Sequence, residues 1–255
     1  MSKLLKLIFL SFSISLISQA VEPIKVLLIT GGGFHDYKKQ AELLTKGIKK
    51  YANVKFDIVN ETESKTKTVF SPFKKENWTK AYDVIIHNEC SADLGDELGN
   101  KVAEEHFKSE AGVVMIHCAF HTFRKMKGDK WRKALGATSY KHTHQKPVKV
   151  VFDQKDHPIL KQCKEFTTGK EELYIIDKIF ENCKPIATGI QGKHKHPVMF
   201  ANKFGKAKIF SITLGHNNET FEIDEWIKVV SHGLLWSCGK LNDDGTPKEG
   251  YGPSK

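Results

Sequence analysis

The chain has 255 residues, of which 40% are hydrophobic, enough for one large domain with a substantial buried core. Its formal net charge is +10 at pH 7, but the lysines are dispersed along the sequence and are not grouped with aromatic residues. A dispersed excess of lysine is typical of a solvated surface, so binding to nucleic acid is disfavoured. No segment after residue 20 has the length and apolar character of a membrane-spanning helix, so stable membrane insertion is not expected.

The first 20 residues have the pattern of a secretory signal peptide. Two lysines precede an apolar segment at residues 7–17, and Ser18-Gln19-Ala20 places small residues at the two positions that a signal peptidase inspects. The apolar segment is short and rich in serine, which makes an uncleaved membrane anchor the less favoured interpretation. We therefore expect residues 1–20 to be removed and the protein to be secreted or periplasmic.

The sequence that follows begins with a strand, a glycine loop and a helix. An apolar run at residues 24–30 predicts the strand, and apolar residues spaced three and four apart across residues 41–51 predict the helix. Gly31-Gly32-Gly33 lies between them but lacks both the GxGxxG spacing and the lysine of a phosphate-binding loop. We expect a tight turn that lets the backbone approach a ligand, and no nucleotide cofactor.

Strands and helices alternate along the rest of the chain. Further helices are predicted at residues 94–107 and 131–135, and a final helix with apolar residues from Trp226 to Leu234 on one face is expected to end near Gly239. Strands are predicted at residues 54–59, 82–87, 112–116, 148–152, 173–176, 186–190, 198–201 and 209–214. This alternation predicts the α/β class, a three-layer α/β/α sandwich with a mainly parallel central sheet. The predicted domain covers residues 21–240, and polar residues 241–255 are expected to form a loose tail.

The chain contains five cysteines, an odd number without CxxC spacing. At least one thiol must therefore stay unpaired within the chain. Export would permit disulfides to form. Cys163 and Cys183 are candidates for one disulfide, although the sequence does not fix the pairing.

Ionisable side chains collect where the apolar runs end. The clearest case is residues 112–116, an apolar run too short for a helix, which stops at His117 and Cys118. In open α/β sheets the carboxyl ends of the strands form one crevice, so side chains at these positions are candidates for a site. The other candidates of this kind are His35, Arg124, His142, Glu171, Glu172 and His216.

Several segments, in order along the chain, resemble the ThuA-like, or trehalose-utilisation, family of the class I glutamine amidotransferase-like superfamily. The resemblance begins with Gly31-Gly32-Gly33-Phe34-His35, Ile116-His117-Cys118-Ala119 and Thr213-Leu214-Gly215-His216. Further matches are Leu135-Gly136 with His142, Asp156-His157-Pro158-Ile159, Glu171-Glu172-Leu173-Tyr174, His196-Pro197-Val198, residues 204–210 and Gly233-Leu234-Leu235-Trp236. The resemblance implies a flavodoxin-like sandwich and a sugar-related role.

Three mechanisms fit such a crevice, and the first is a metal site. His117, His142 and His216 each lie in a matching segment, and we expect them to bind a divalent metal such as zinc. Catalytic zinc takes three protein ligands and leaves one open position. His35 and Glu172 are the next candidates. Any one of these histidines taken alone is more often a hydrogen-bonded structural residue.

The second mechanism uses Cys118 as a nucleophile, as the superfamily's glutamine amidotransferases imply, with His216 late in the chain as the base. Such a nucleophile sits on a strained turn that needs small neighbouring residues. Here the neighbours are His117, Phe120 and His121, so a small buried cysteine is the favoured interpretation.

The third mechanism is acid–base chemistry without a metal. His117 or His216 would move a proton, with a pKa near ~6.5 before any shift by the environment. Glu171 and Glu172 are adjacent, so on a strand they would point to opposite faces and only one would face the crevice. The position directly before Leu173 favours Glu172.

The signal-like leader predicts export, and the resemblance implies an enzyme of carbohydrate utilisation that acts on a glycoside, disaccharide or keto-sugar by hydrolytic or acid–base chemistry. The predicted catalytic residues are His117, His216 and Glu172. The predicted substrate-binding residues are Gly33, His35, Arg124 and His142. A non-catalytic carbohydrate-binding protein that uses the same crevice is the alternative, and the sequence leaves a homo-oligomer open.

Overall fold

The computed structural model of the protein describes residues 21–253, so the predicted signal peptide lies outside the described residues. The strands in this part of the chain are β1 (Ile24–Gly32), β2 (Val54–Glu61), β3 (Val84–Cys90), β4 (Gly112–Ile116), β5 (Ala137–His142), β6 (Lys149–Phe152), β7 (Phe166–Thr167), β8 (Tyr174–Ile179), β9 (Cys183–Gln191), β10 (His194–Phe204) and β11 (Ala207–Ile212). The helices are α1 (Tyr37–Ile48), α2 (Asp96–Lys108), α3 (Lys130–Leu135), α4 (Asn218–Glu222) and α5 (Asp224–Ser237).

Nine of these strands form one mixed sheet in the order β2-β1-β3-β4-β11-β10-β9-β6-β7. The strands from β2 to β11 in this order pair in parallel, whereas the pairs from β11 to β7 are antiparallel. A separate antiparallel pair joins β5 and β8. The predicted α/β class is confirmed, but β5 and β7 were not predicted.

Helices cover both faces of the parallel half of the sheet. Val26 and Leu28 of β1 belong to the core beneath α1 and α5, while Leu27 and Ile29 belong to the core beneath α2 and α3. Successive side chains of a strand point to opposite faces, so a strand covered on both sides is apolar at every position. This is why residues 26–29 of β1 and 113–116 of β4 read as continuous apolar runs, and it confirms the predicted three-layer sandwich.

The glycines at the carboxyl end of β1 lie against the neighbouring strands. Gly31 and Gly32 have positive φ values of 126° and 84°. A Cβ atom on Gly32 would lie 2.3 Å from the carbonyl oxygen of Cys90, at the end of β3. Glycine is required at position 32 because the backbone of β3 lies too close for a side chain. The chain bends only at residues 33–35, since β1 runs to Gly32, and the predicted approach of this backbone to a ligand stays a prediction.

The predicted disulfide between Cys163 and Cys183 is wrong, because the two residues pack in different layers. Cys163 lies against the core under α5, whereas Cys183 belongs to the core on the opposite face of the sheet. Both are free thiols, and the disulfide instead joins Cys90 to Cys118. This bond links the carboxyl end of β3 to the residue after His117.

The C-terminal segment also differs from the expected loose tail. Leu241 is buried, and the carbonyl oxygen of Tyr251 accepts a hydrogen bond of 3.0 Å from the backbone N–H of Asn53. The carbonyl of Asp244 accepts another, of 2.9 Å, from the side chain of Gln162. Residues 241–253 therefore fold back onto the domain, because Leu241 and Tyr251 supply apolar surface that the polar composition of the segment conceals.

Within residues 21–253, no helix combines the length and the hydrophobicity that crossing a lipid bilayer requires.

The close approach at Gly32 gives a test of the fold. Replacing Gly32 with Ala should lower the free energy of unfolding by about 3 kcal/mol, because left-handed strain and a clash with backbone act together. Gly192 has a φ of 58° but no atom within 4 Å of an added Cβ. Gly192→Ala is the matched control and should lose only about 1 kcal/mol. Equal losses in urea unfolding of the two variants would contradict the close-packed loop.

Candidate functional site

The histidine-lined site lies where the parallel strands end. β1, β4 and β11 run in the same direction, so the segments that follow them meet at one edge of the sheet. His35 follows β1, His117 follows β4 and His216 follows β11. One ring nitrogen from each of the three lies within 4.8 Å of the others. We call these three residues the histidine cluster.

His117 is held by both its backbone and its ring. It begins a short 3-10 helix, His117–Phe120, with a φ of 44°, which is uncommon for a residue other than glycine. Its buried Nδ1 lies 2.7 Å from the carbonyl oxygen of Thr213. A carbonyl only accepts, so Nδ1 carries the proton and Nε2 presents a lone pair. That Nε2 lies 3.4 Å from the hydroxyl of Tyr174.

His216 is placed by a buried carboxylate beneath its backbone. Glu171 accepts hydrogen bonds of 3.0 Å from the N–H groups of Gly215 and His216 and one of 2.7 Å from the hydroxyl of Thr220. The side chain of Gln40 donates to the carbonyl oxygens of Gly215 and His216 at 3.4 and 3.2 Å. Both the donors and the acceptors of this turn are therefore satisfied, which fixes the imidazole of His216 in the crevice.

Glu172 is the carboxylate that faces the histidines. Its oxygens lie 3.3 Å from Nδ1 of His216, 3.6 Å from Nδ1 of His142 and 3.7 Å from Nε2 of His117. Glu171, the preceding residue, points the other way and forms an isolated bridge with Lys146 through its backbone. The structure thus brings one member of the adjacent pair into the crevice.

Burial lowers the pKa values of His35 and His117, whereas Glu172 raises the pKa of His216, so the three histidines differ in charge. Burial, aided by His216, lowers the pKa of His35 to about 4. Burial, aided by His35, lowers the pKa of His117 well below its ordinary value. Burial also disfavours the charged form of His216, but the adjacent Glu172 carboxylate outweighs it and raises the pKa. The same contact lowers the pKa of Glu172 against the effect of its own burial.

His142 lies outside the histidine cluster. It ends β5, in the small two-stranded sheet, and therefore approaches the crevice from the side. Its Nδ1 lies 2.9 Å from the carbonyl oxygen of Thr143, and its side chain is partly exposed. Of the predicted metal ligands, the structure groups His117 and His216, and it adds His35 where the sequence favoured His142.

Cys118 has no free thiol in this structure, because its sulfur is bonded to Cys90. It packs with Cys90, Tyr37 and Ala92 in a small cluster of its own. A thiol nucleophile at this position would require the disulfide to be reduced. The geometry therefore disfavours the cysteine mechanism on grounds separate from the size of the neighbouring residues.

The rings of Tyr174 and His121 lie beside the crevice, although neither residue was among the predicted site residues. Tyr174 stacks on His121 with ring centroids 4.2 Å apart, and burial raises the pKa of the Tyr174 hydroxyl well above its ordinary value. A signal for Tyr174 was present, because residues two apart on an extended chain point to the same side, which places it with Glu172. No sequence pattern indicated Gln145, whose side-chain nitrogen lies 2.8 Å from Nε2 of His216.

Not every histidine near a strand end belongs to the site. His87 of β3 lies in the opposite core, where its Nδ1 is 3.0 Å from Glu89 and its Nε2 is 2.8 Å from Nε2 of His106. Burial lowers the pKa of His87 to about 3 and raises that of Glu89. This buried chain is enclosed by Trp78 and Trp131 and has no access to the crevice.

The remaining two predicted residues, Gly33 and Arg124, border a cavity of about 350 Å³ beside the loop that carries His35. Gly33 is buried, whereas the side chain of Arg124 is exposed. They lie next to the histidine cluster and outside it.

The sheet order and the helices on both faces define an α/β protein built as a three-layer sandwich, with a sharp turn after β4. Histidines and a carboxylate, rather than a free thiol, occupy its crevice. The profile of the ThuA family, described as trehalose utilisation, matches residues 25–237. The chain belongs to this family, and its role is in carbohydrate utilisation.

Solved structures share the fold. A ThuA-like protein from Parabacteroides merdae ATCC 43184 has a TM-score of 0.68 and 19% identity, over 91% of this chain and 98% of that chain. β-Galactosidase from Bacillus circulans sp. alkalophilus has a TM-score of 0.57 and 13% identity, over 88% of this chain and 32% of that chain. A protein from Thermoplasma acidophilum, described as a GMP synthase subunit, has a TM-score of 0.52 and 11% identity, over 85% of this chain and 94% of that chain. At these identities the likeness is one of fold alone. Among curated proteins no match is found.

The charge division in the site can be measured by NMR titration of the metal-free protein. In the wild-type protein the pKa of His216 should lie above its ordinary value, and the pKa of His35 should be about 4. In Glu172→Gln the adjacent carboxylate is gone, while burial and the weaker effect of Glu171 remain, so the pKa of His216 should fall. Glu110→Gln, which removes an exposed carboxylate just before the amino end of β4, should leave it unchanged. An unaltered pKa of His216 in Glu172→Gln would contradict the pairing.

Proposed function

We propose that this protein is a carbohydrate-processing enzyme whose reaction centre is the histidine cluster with Glu172, and that the cluster binds a divalent metal such as zinc. The observation that carries the proposal is the convergence of three imidazole nitrogens within 4.8 Å, from segments far apart in the sequence. Three protein ligands with one position left for water or substrate are typical of catalytic zinc. The substrate class is a glycoside, disaccharide or keto-sugar.

The chemistry of the donors supports metal binding. The lowered pKa values keep His35 and His117 neutral at physiological pH, and only a neutral imidazole can ligate. The pKa of His216 is raised, so this third ligand would release its proton on binding the metal. The bond from Nδ1 of His117 to the carbonyl of Thr213 is the kind of outer contact that orients a ligating histidine. A bound divalent metal supplies Lewis-acid polarisation of a sugar oxygen.

The chain's own side chains supply proton transfer. The lowered pKa of Glu172 keeps its carboxylate ionised, so it can accept a proton from water or from a sugar hydroxyl. The hydroxyl of Tyr174, beside Nε2 of His117, is a donor to an oxygen of the substrate. Hydrolytic or acid–base chemistry on a sugar needs these two functions, an acceptor and a donor on one crevice.

A second mechanism without a metal is supported by the contact between His216 and Glu172. At 3.3 Å and with opposing pKa shifts, the two form an ion pair that can donate and accept protons. The same residues would then act on the sugar, with His216 as the acid. Metal analysis separates the two mechanisms.

We further propose that the protein acts outside the cytoplasm. Support comes from the signal-like pattern of residues 1–20 and from the Cys90–Cys118 disulfide, since disulfides persist in oxidising compartments.

The metal proposal predicts which histidines matter. Purified protein should contain zinc or a similar ion by elemental analysis, and metal-free protein should bind zinc by calorimetry. His35→Ala and His117→Asn should weaken binding by about a hundredfold or more, because each removes a ligand; asparagine is chosen because it tolerates a positive φ. His142→Ala is the matched control and should bind zinc normally. Loss of binding in His142→Ala with full binding in His35→Ala would show the ligand set to be wrong.

The catalytic proposal predicts the effect of removing the carboxylate. In a screen of disaccharides, glycosides and keto-sugars, Glu172→Gln should lower kcat by roughly 10²–10⁴-fold, because the proton acceptor is lost. Glu110→Gln should keep full turnover. If wild-type protein binds sugars but turns none over, the protein is a carbohydrate-binding protein and the enzyme proposal fails.

A further inference from the structure

The chain has only two arginines among its 40 lysines and arginines, and they are used in different ways. Arg132 is buried and donates to the carbonyl oxygens of Gly128 and Met126 at 2.7 and 2.9 Å. Arg124 is exposed, and within residues 21–253 no hydrogen bond or ion pair engages its guanidinium. A chain that otherwise uses lysine for surface charge therefore has one unpartnered guanidinium.

The backbone that carries Arg124 is fixed although its side chain is not. Arg132 donates to the carbonyl oxygen of Arg124 at 3.3 Å. The carboxylate of Asp96 accepts hydrogen bonds of 3.0 Å from the N–H groups of Lys127 and Gly128. Residues 124–128 are thus held from two sides, which fixes the point from which the side chain of Arg124 extends and leaves only its rotamers to be ordered on binding.

Arg124 lies beside the proposed reaction centre. Its positive charge contributes to lowering the pKa of His121, behind burial, and it also acts on Tyr174. It borders the cavity of about 350 Å³ together with Gly33 and Phe34, which directly precede His35. Phe34 is 73% exposed and has a φ of 85°, so an apolar ring is held in solvent at the edge of this cavity by a strained backbone.

The charge of the cavity is positive. Lys125 is paired with Asp93 at 2.9 Å, and Asp93 also accepts a hydrogen bond from Thr66. This pair leaves Arg124 and Lys65 as the uncompensated charges of the lining. A guanidinium is suited to a carboxylate, which it binds through two parallel hydrogen bonds.

The backbone around the cavity does not provide a phosphate cradle. The N–H of Gly33 donates to the carbonyl oxygen of Cys90 at 3.1 Å, and Gly31 and Gly32 lie in the ladder with β3. The start of α1 is capped by the carboxylate of Asp36, which accepts from the N–H of Lys39. Phosphate sites use free backbone N–H groups at such positions, so the lining favours a singly charged carboxylate.

We propose that the substrate is a sugar acid, whose carboxylate binds Arg124 in this cavity while its ring lies against Phe34 and reaches the histidine cluster. The proposal rests on the proposed function and adds the chemical class of the substrate. Arg124 then acts as a specificity-determining residue, because a neutral sugar leaves its guanidinium without a partner. Phe34 provides the apolar contact for the sugar ring.

The test compares D-glucuronate and D-galacturonate with the neutral amides of the same sugars and with glucose 6-phosphate, by NMR titration of full-length protein. The acids should bind about tenfold tighter than their amides, the effect of one charge-assisted pair. Arg124→Gln should abolish this preference and leave amide binding unchanged. Arg124→Lys should keep part of it, since the charge remains and the fork is lost. The side chain of Arg124 has no partner in residues 21–253, so the variants should unfold at the wild-type temperature.

Lys127→Gln is the matched control, because it removes an exposed positive charge three residues from Arg124 that does not line the cavity, and it should keep the preference. An equal loss in Lys127→Gln and Arg124→Gln would overturn the specific site. Equal binding of acids and amides by wild-type protein would also overturn it while leaving the proposed function intact. Tighter binding of glucose 6-phosphate than of the acids would overturn the assignment of a carboxylate. If none of these compounds and no neutral sugar binds, the proposed function itself fails.

Discussion

The carboxylate of Glu171 lies beneath the turn at Gly215 and His216, where it accepts the N–H groups of both residues and the hydroxyl of Thr220. A buried carboxylate without donors is strongly unfavourable, and a buried turn with free N–H groups is unfavourable as well, so each removes the penalty of the other. Burial raises the pKa of Glu171 to about 7, against the opposing effect of these hydrogen bonds. Because Glu172 is the next residue, the same contact also positions the second carboxylate. The distance between His216 and Glu172, and hence the charge distribution of the crevice, follows from this one anchor.

Because of that geometry, the histidines of the crevice differ in protonation: two are neutral and one is charged. His35 and His117 stay neutral because burial and neighbouring histidines lower their pKa values, whereas His216 gains charge through its shorter contact with Glu172. The sequence alone assigns every histidine a pKa of ~6.5, whereas in the structure their surroundings shift the pKa values in opposite directions. The crevice combines the neutral nitrogen donors of His35 and His117 with the charged pair of His216 and Glu172. The metal-free mechanism uses that pair as it stands, whereas the metal mechanism requires His216 to lose its proton when the ion binds.

Much of this arrangement is local in the sequence and was therefore predictable. The apolar run of β4 that stops at His117, the close-packed glycine loop and the opposed pair Glu171 and Glu172 all follow from periodicity and backbone sterics. The choice of His35 over His142 was not predictable, because it depends on whether a strand joins the parallel half of the main sheet. β5 pairs with β8 in a separate sheet, and no spacing along the chain encodes that choice. The disulfide was missed for the same reason, since Cys90 and Cys118 meet only when β3 and β4 become neighbours.

The left-handed backbone of His117 restricts how this position can change in evolution. Most side chains are disfavoured at a φ of 44°, and glycine, asparagine, aspartate and histidine are the residues that tolerate it best. Three of these four can coordinate or transfer protons through a side-chain nitrogen or oxygen. Because of this backbone conformation, the substitutions that the turn after β4 tolerates are mostly polar, whatever their effect on activity. The residue at position 117 is therefore replaced most readily by another that can coordinate or hydrogen-bond, such as asparagine or aspartate. Such a replacement changes the chemistry of the site while the backbone of the turn is kept.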